Sequence, residues 1–210
     1  MELKVILEAT IEGSVSRVEE LTGKALAEGI APAEILSKAL IPAMDEVGRL
    51  FERQEYFLPE LIAAANAMQS GLKMLRPLLG QGDQKAAGRV VVGTVEGDLH
   101  SMGKNLVMTM LEGAGFEVVD LGVDISPAEF VAAVRQHQPQ VVGMSSLLTT
   151  TMAALRTTID ALKEAGLRGQ IKVVVGGAPV SQKYADLIGA DGYAPDAGSA
   201  VRKVRELLEQ

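Results

Sequence analysis

The sequence predicts two parts: an N-terminal four-helix bundle, then an α/β domain on a five-stranded parallel sheet of flavodoxin-like (Rossmann-like) strand order. Three observations predict it. Residues 1–79 carry apolar side chains at helical spacing only. Residues 80–88 hold three glycines and no large apolar residue, so they read as an exposed, bendable linker. From residue 89 to 210, short β-branched runs alternate with helical patterns, as in a parallel sheet covered on both faces.

In the first part, Leu3, Ile6, Leu7, Thr10 and Ile11 form a helical stripe that Gly13 and Ser14 interrupt, with Ser14 placed to cap the next helix. Val15, Val18, Leu21, Leu26 and Ile30 continue the stripe, and that helix ends near Gly29. Pro32 suits the first turn of a third helix, whose inner face is Ile35, Leu36, Ala39, Leu40, Met44, Val47, Leu50 and Phe51. Pro42 lies inside this segment and is expected to kink or divide it. Pro59 opens a fourth helix that buries Leu61, Ile62, Ala65, Met68, Leu72, Leu75, Leu78 and Leu79. In the second part, strands are expected at 89–95, 117–121, 140–145, 171–176 and 191–194. Helices are expected near 103–114, 127–137, 151–165, 180–188 and 196–209. In a flavodoxin-like order the ends of strands one and three lie side by side with strand four next to them, and ligands bind outside those carboxyl ends.

Apolar residues make up 48% of the 210, enough for a core, and the net charge of −7 is spread over mixed signs. That balance argues against nucleic acid as a partner. The absence of cysteine excludes disulfides, thiolate nucleophiles and thiolate metal sites. Neither a basic-then-apolar leader nor an apolar run of bilayer length occurs, so the expectation is a cytoplasmic protein with no membrane partner.

The stretch Gly97-Asp98-Leu99-His100-Ser101-Met102-Gly103 sits between the first predicted strand and the helix after it. An Asp that holds one imidazole nitrogen leaves the other free to ligate a metal. Alone, Asp-x-His is more often a surface turn. Here Asp98-x-His100-x-x-Gly103 is followed by Ser145-x-Leu147 after a gap of 41 residues, then by Gly176-Gly177 after a further 28. Each element falls at a predicted strand end, so the topology brings the three together. Gly103 lets the backbone approach a ligand closely, and the helix behind it offers free amides.

This constellation resembles the fingerprint of cobalamin-binding domains that hold the cofactor with its own base displaced and a histidine on cobalt. The resemblance covers the whole chain and is closest to the small corrinoid proteins of methyltransferase systems, such as the methylamine, methanol, glycine betaine and aryl-ether carriers. It implies His100 as the axial cobalt ligand and Asp98 as its partner, with Thr151 completing a proton relay. The run Thr149–Thr151 equally suits helix N-capping. It implies that Ser145, Gly176 and Gly177 line a slot for the nucleotide tail, with Leu147, Thr149, Ala178 and Tyr193 around it; Gly176-Gly177 is in isolation an ordinary strand-to-loop turn. The segment 50–60 resembles the cap of the cobalamin module of methionine synthase, and by that match Phe51 and Leu58 cover the reactive face. Phe57 is expected in the bundle core.

The resemblance further implies a methyl carrier that is not a complete enzyme. It would shuttle a methyl group between a substrate-specific methyltransferase and a second methyltransferase acting on tetrahydrofolate or a thiol carrier, with a reductive activase to rescue oxidised cobalt. The alternative is a cobalamin-dependent sensor or regulator, but that class usually carries a DNA-binding domain and a tryptophan over the corrin, and this chain has no Trp. A radical mutase subunit and a plain response domain fit less well. His137 is expected to be a surface cap at a helix end. Met102, Met108 and Met110 are expected to be packing residues.

Overall fold

The computed structural model describes residues 3–78 and 87–209. The described residues fall into a helical unit before Ala87 and an α/β unit made of 87–112 and 116 onward. The predicted linker residues 80–86 and Leu79 lie outside the described residues.

The helical unit holds α1 (Lys4–Ile11), α2 (Val15–Ala27), α3 (Pro32–Ile35), α4 (Ile41–Glu52) and α5 (Leu58–Leu75), with a short 3-10 turn at Arg76–Leu78. A π-helical turn, Leu36–Leu40, joins α3 to α4, giving four rods. That turn is how the chain accommodates Pro42. Proline has no N–H and clashes with the carbonyl four residues back. The wider turn, in which Ile41 N–H bonds the Leu36 carbonyl, absorbs it without dividing the rod. Ser14 occupies the N-cap of α2, but its side chain makes no capping bond. Ile6, Val18, Ile35, Leu40, Met44, Val47, Leu61, Met68 and Leu75 form the core. Three residues expected inside are exposed instead: Val15, Ile62 and Leu78. Phe57, also expected in the core, is 63% exposed, because it sits outside α5 as its N-cap rather than within the helix.

In the α/β unit the strands are β1 (Arg89–Val95), β2 (Glu117–Ile125), β3 (Val141–Ser145), β4 (Lys172–Gly176) and β5 (Gly192–Ala194). The helices are α6 (Met102–Gly113), α7 (Pro127–His137), α8 (Met152–Glu164), α9 (Gln182–Ile188) and α10 (Ala197–Leu208). All neighbouring strands pair in parallel, in the order β2-β1-β3-β4-β5, as expected. The β-branched runs Val90–Val92, Val141–Val142 and Val173–Val175 are almost wholly buried, which is why they read as continuous apolar stretches. Ser126 and Glu129 form a capping box that starts α7. His137 ends α7, where its carbonyl accepts from the Arg89 guanidinium.

β2 is longer than predicted. It continues past residue 121 through two register shifts against β1. Gly122 and Asp124 take positive φ there, which lets the strand bend and stay paired. Among the described residues, no helix is long and apolar enough to cross a membrane.

Candidate functional site

The switch-point geometry sets β1, β3 and β4 side by side, so their carboxyl ends share one edge. Paired residues across that edge are Thr94 with Ser145, Ser145 with Gly176, and Gly176 with Ala194. A single row of small side chains therefore crosses four strands where their loops begin.

The Asp98–His100 loop leaves β1 here. Asp98 is wholly buried, whereas the His100 side chain is 51% exposed. Asp98 Oδ1 lies 2.7 Å from His100 Nδ1 and also accepts the His100 backbone N–H at 3.1 Å. Asp98 Oδ2 accepts from Leu147 N–H at 2.6 Å, from Leu148 N–H at 3.3 Å and from the Thr151 hydroxyl at 3.0 Å. Burial alone would raise the Asp98 pKa, but the Leu147 N–H, the His100 N–H and ring, and the Thr151 hydroxyl outweigh it and lower the pKa to about 2. An ionised carboxylate only accepts, so the ring proton sits on Nδ1. In that tautomer of the neutral ring the lone pair is on Nε2, which has no hydrogen-bond partner among the described residues.

Other residues hold this arrangement from behind. Thr151 is the N-cap of α8, yet its side chain makes no cap bond. Its hydroxyl is turned to Asp98 and lies 2.8 Å from that of Ser146, which is buried. Asp124 Oδ1 accepts the Gly97 N–H at 2.7 Å, and the Asp124 N–H donates to the Asp98 carbonyl at 3.0 Å. Thr94 Oγ1 donates to the His100 carbonyl at 3.0 Å. The buried Lys104 side chain ties α6 to β2 through Asp120, at 2.5 Å.

Sequence reasoning missed Thr94, Ser146 and Asp124. Thr94 left a signal, as the one hydroxyl in an apolar strand. Asp124 left none, because its role depends on a left-handed backbone beyond the expected strand end.

Apolar side chains stand exposed in the loop that carries His100 and in the loop after β3. Leu99 and Met102 are 71% and 73% exposed, and Leu147 and Leu148 are also largely open. Met102 is thus not the packing residue expected, because it precedes the first buried turn of α6; Met110 is buried and Met108 partly so. A Cβ on Gly103 would meet nothing within 4 Å, so the start of α6 faces open space.

Gly176, the last residue of β4, and Gly177, which follows it, are constrained by the fold itself. A Cβ on Gly177 would lie 1.9 Å from the Ser146 carbonyl oxygen, and one on Gly176 would lie 2.8 Å from that of Ala194. Thr149 and Ala178 are exposed on the adjoining loops, and Tyr193 is half-buried in β5. In the helical unit, Phe51 lies at the end of α4 and Leu58 at the start of α5, both half-buried.

Among the described residues no three His, Cys, Asp or Glu side chains gather into a metal cage. A metal reaching Nε2 must bring most of its own ligands. A corrinoid would supply such ligands itself and would need only one more from the protein. An exposed histidine, held from behind by a buried carboxylate and flanked by apolar side chains and an open glycine, fits a flat apolar macrocycle.

A B12 binding domain model matches residues 88–202, and a second one matches residues 2–76. The chain belongs to the B12-binding proteins. Within that class it is one of the corrinoid proteins, and its cofactor is cobalamin or a related corrinoid. Dimethylamine corrinoid protein 3 of Methanosarcina acetivorans is 46% identical over 98% of this chain and 96% of its own length. The trimethylamine corrinoid protein of Methanosarcina barkeri is 48% identical over 90% and 88%. Among solved structures, a cobalamin-binding protein from Desulfitobacterium hafniense is 35% identical with a TM-score of 0.84, covering 99% of this chain and 98% of that one. The methanol:cobalamin methyltransferase complex of Methanosarcina barkeri gives 32% identity and a TM-score of 0.87, covering 99% and 79%.

Proposed function

We propose that the chain is a methyl-carrying corrinoid protein that binds its cofactor base-off with His100 on cobalt. It takes a methyl group from a substrate-specific methyltransferase and yields it to a second one that acts on tetrahydrofolate or a thiol carrier; a reductive activase restores the cobalt after oxidation. The corrinoid supplies the cobalt on which the methyl group travels. The similarity to dimethylamine and trimethylamine corrinoid proteins favours a methylated amine as the methyl source. The cytoplasm is the expected location.

The observation that carries this reading is the Asp98–His100 pair, with Nδ1 engaged by a buried carboxylate on a half-exposed ring whose loop also exposes Leu99 and Met102. Asp98 fixes the tautomer and makes Nε2 a better ligand, an effect typically worth about 10–100-fold in metal affinity. Thr151 and Asp98 give the ring proton a hydrogen-bonded path away from Nδ1 when the demand for imidazole basicity changes. Ser145, Gly176 and Gly177 hold the edge where the displaced nucleotide tail is stored, with Leu147, Thr149, Ala178 and Tyr193 around it. Gly103 gives the macrocycle room, and Phe51 and Leu58 cover its other face.

The test is anaerobic reconstitution of the whole chain with hydroxocobalamin, followed by electron paramagnetic resonance of the Co(II) form. Nitrogen superhyperfine coupling is expected in the wild type and absent in His100→Ala. A signal that survives the substitution overturns the assignment of the ligand.

A further inference from the structure

Thr94 is wholly buried in a strand otherwise made of Arg, Val and Gly. A buried hydroxyl is costly unless bonded, and Val fills the same place in a strand without one. Packing therefore does not account for it, and its bonds do. Thr94 Oγ1 lies 3.0 Å from the His100 carbonyl oxygen and 2.9 Å from Ser145 Oγ.

While both bonds are made, only one direction satisfies them. A carbonyl only accepts, and a hydroxyl carries one proton. The Thr94 proton goes to His100, so the proton between the two hydroxyls belongs to Ser145. The chain runs from Ser145 O–H to Thr94 O–H to the His100 carbonyl, and Ser145 is left with lone pairs only toward its open side. A group beside Ser145 that accepts a hydrogen bond must take the Ser145 proton. Thr94 then turns its own proton to Ser145, and the His100 carbonyl loses its donor.

We propose that Thr94 is a positioning residue that couples the slot at Ser145 to the His100 loop, so that filling the slot with the nucleotide tail changes how well His100 holds cobalt. The proposal rests on the base-off, His-on reading above. It joins two subsites through one buried hydroxyl that contacts neither cobalt nor tail.

The experiment compares cobalamin with cobinamide, which lacks the nucleotide tail. Binding of each corrinoid to the whole chain is measured with and without His100→Ala, and the loss caused by that substitution is the contribution of the histidine. In otherwise wild-type protein this contribution is expected to differ between the two corrinoids by roughly fivefold, the effect of one buried hydrogen bond. In Thr94→Val the difference disappears, and in Thr94→Ser, which keeps the hydroxyl, it remains. The nitrogen coupling of the Co(II) form follows the same pattern, differing between corrinoids in wild type and Thr94→Ser and matching in Thr94→Val.

Equal contributions in the wild type, a difference that persists in Thr94→Val, or one lost in Thr94→Ser overturns the proposal. Should Thr94→Val fail to fold by circular dichroism, Ser145→Ala decides, since it removes the other end of the chain and must abolish the difference too. A His100→Ala protein that binds both corrinoids as tightly as wild type overturns the His-on reading itself, a distinct result.

Discussion

A buried carboxylate persists as an anion only while donors surround it. Asp98 has five such contacts, from three backbone N–H groups, one hydroxyl and one ring. Four of them, the Leu147 and His100 N–H groups, the His100 ring and the Thr151 hydroxyl, outweigh its burial and lower its pKa to about 2 from 3.8. The unfolded chain therefore binds more protons than the folded one between these values, and stability falls as pH falls. The Asp98 contribution is fully present above about pH 4 and drains away as pH drops toward 2, amounting to roughly 2 kcal/mol. Asp98→Asn removes this component, and its amide sets a donor against donors in a buried place, costing about 1–3 kcal/mol at neutral pH. Urea unfolding of the cofactor-free protein across pH 7 to 2.5 checks both. An identical pH slope in wild type and Asp98→Asn would refute the account. The Asp98 and His100 pairing was legible in the sequence because both partners lie two residues apart in one loop. The donors Leu147, Leu148 and Thr151 come from another strand end, and only the resemblance pointed to Thr151.

At the scale of the element, β2 shows what periodicity does not reveal. Its apolar run ends where prediction stops it, but the strand runs on to Ile125, where Asp124 takes φ +57 and reaches back to Gly97. Asp and Asn tolerate that backbone region and most other side chains do not. Asp124→Asn, which keeps an acceptor and the tolerance, is expected to leave stability nearly unchanged. Asp124→Ala loses the bond and adds strain, for about 1–2 kcal/mol. Asp124→Gly loses the bond but sheds the strain, and falls between them. Chemical denaturation midpoints in that order support the clamp; Asn as damaging as Ala would remove it. The helical unit teaches the same lesson from the other side. Helical spacing located all four rods, yet Ile62 and Phe57 face outward. Pro42 sits inside a continuous rod because a π turn makes room for it, and no composition rule signals such a turn.

Across the whole molecule, the strand order was readable because each β-branched run and each intervening helix is local, and right-handed crossovers leave few ways to connect them. Its functional consequence is the shared strand edge, whose loops lie far apart in sequence. The helical unit has its own core, so unfolding of the chain need not be a single transition. A ligand stabilises whatever it binds only in folded form, by roughly 2.7 kcal/mol at a hundredfold excess over its Kd. If hydroxocobalamin engages the α/β unit alone, only that unit gains protection. The cover assigned to Phe51 and Leu58 demands more, since ligand contact with those side chains must stabilise the helical unit as well. Amide hydrogen exchange of the whole chain separates the two. Saturating hydroxocobalamin is expected to slow exchange in the 97–101 loop and also in α4 and α5. In the double variant Phe51→Ala, Leu58→Ala, the slowing in α4 and α5 is expected to disappear while that in the loop persists. Protection confined to the α/β unit in the wild type would take the cap role away from both residues and leave His100 and its loop untouched.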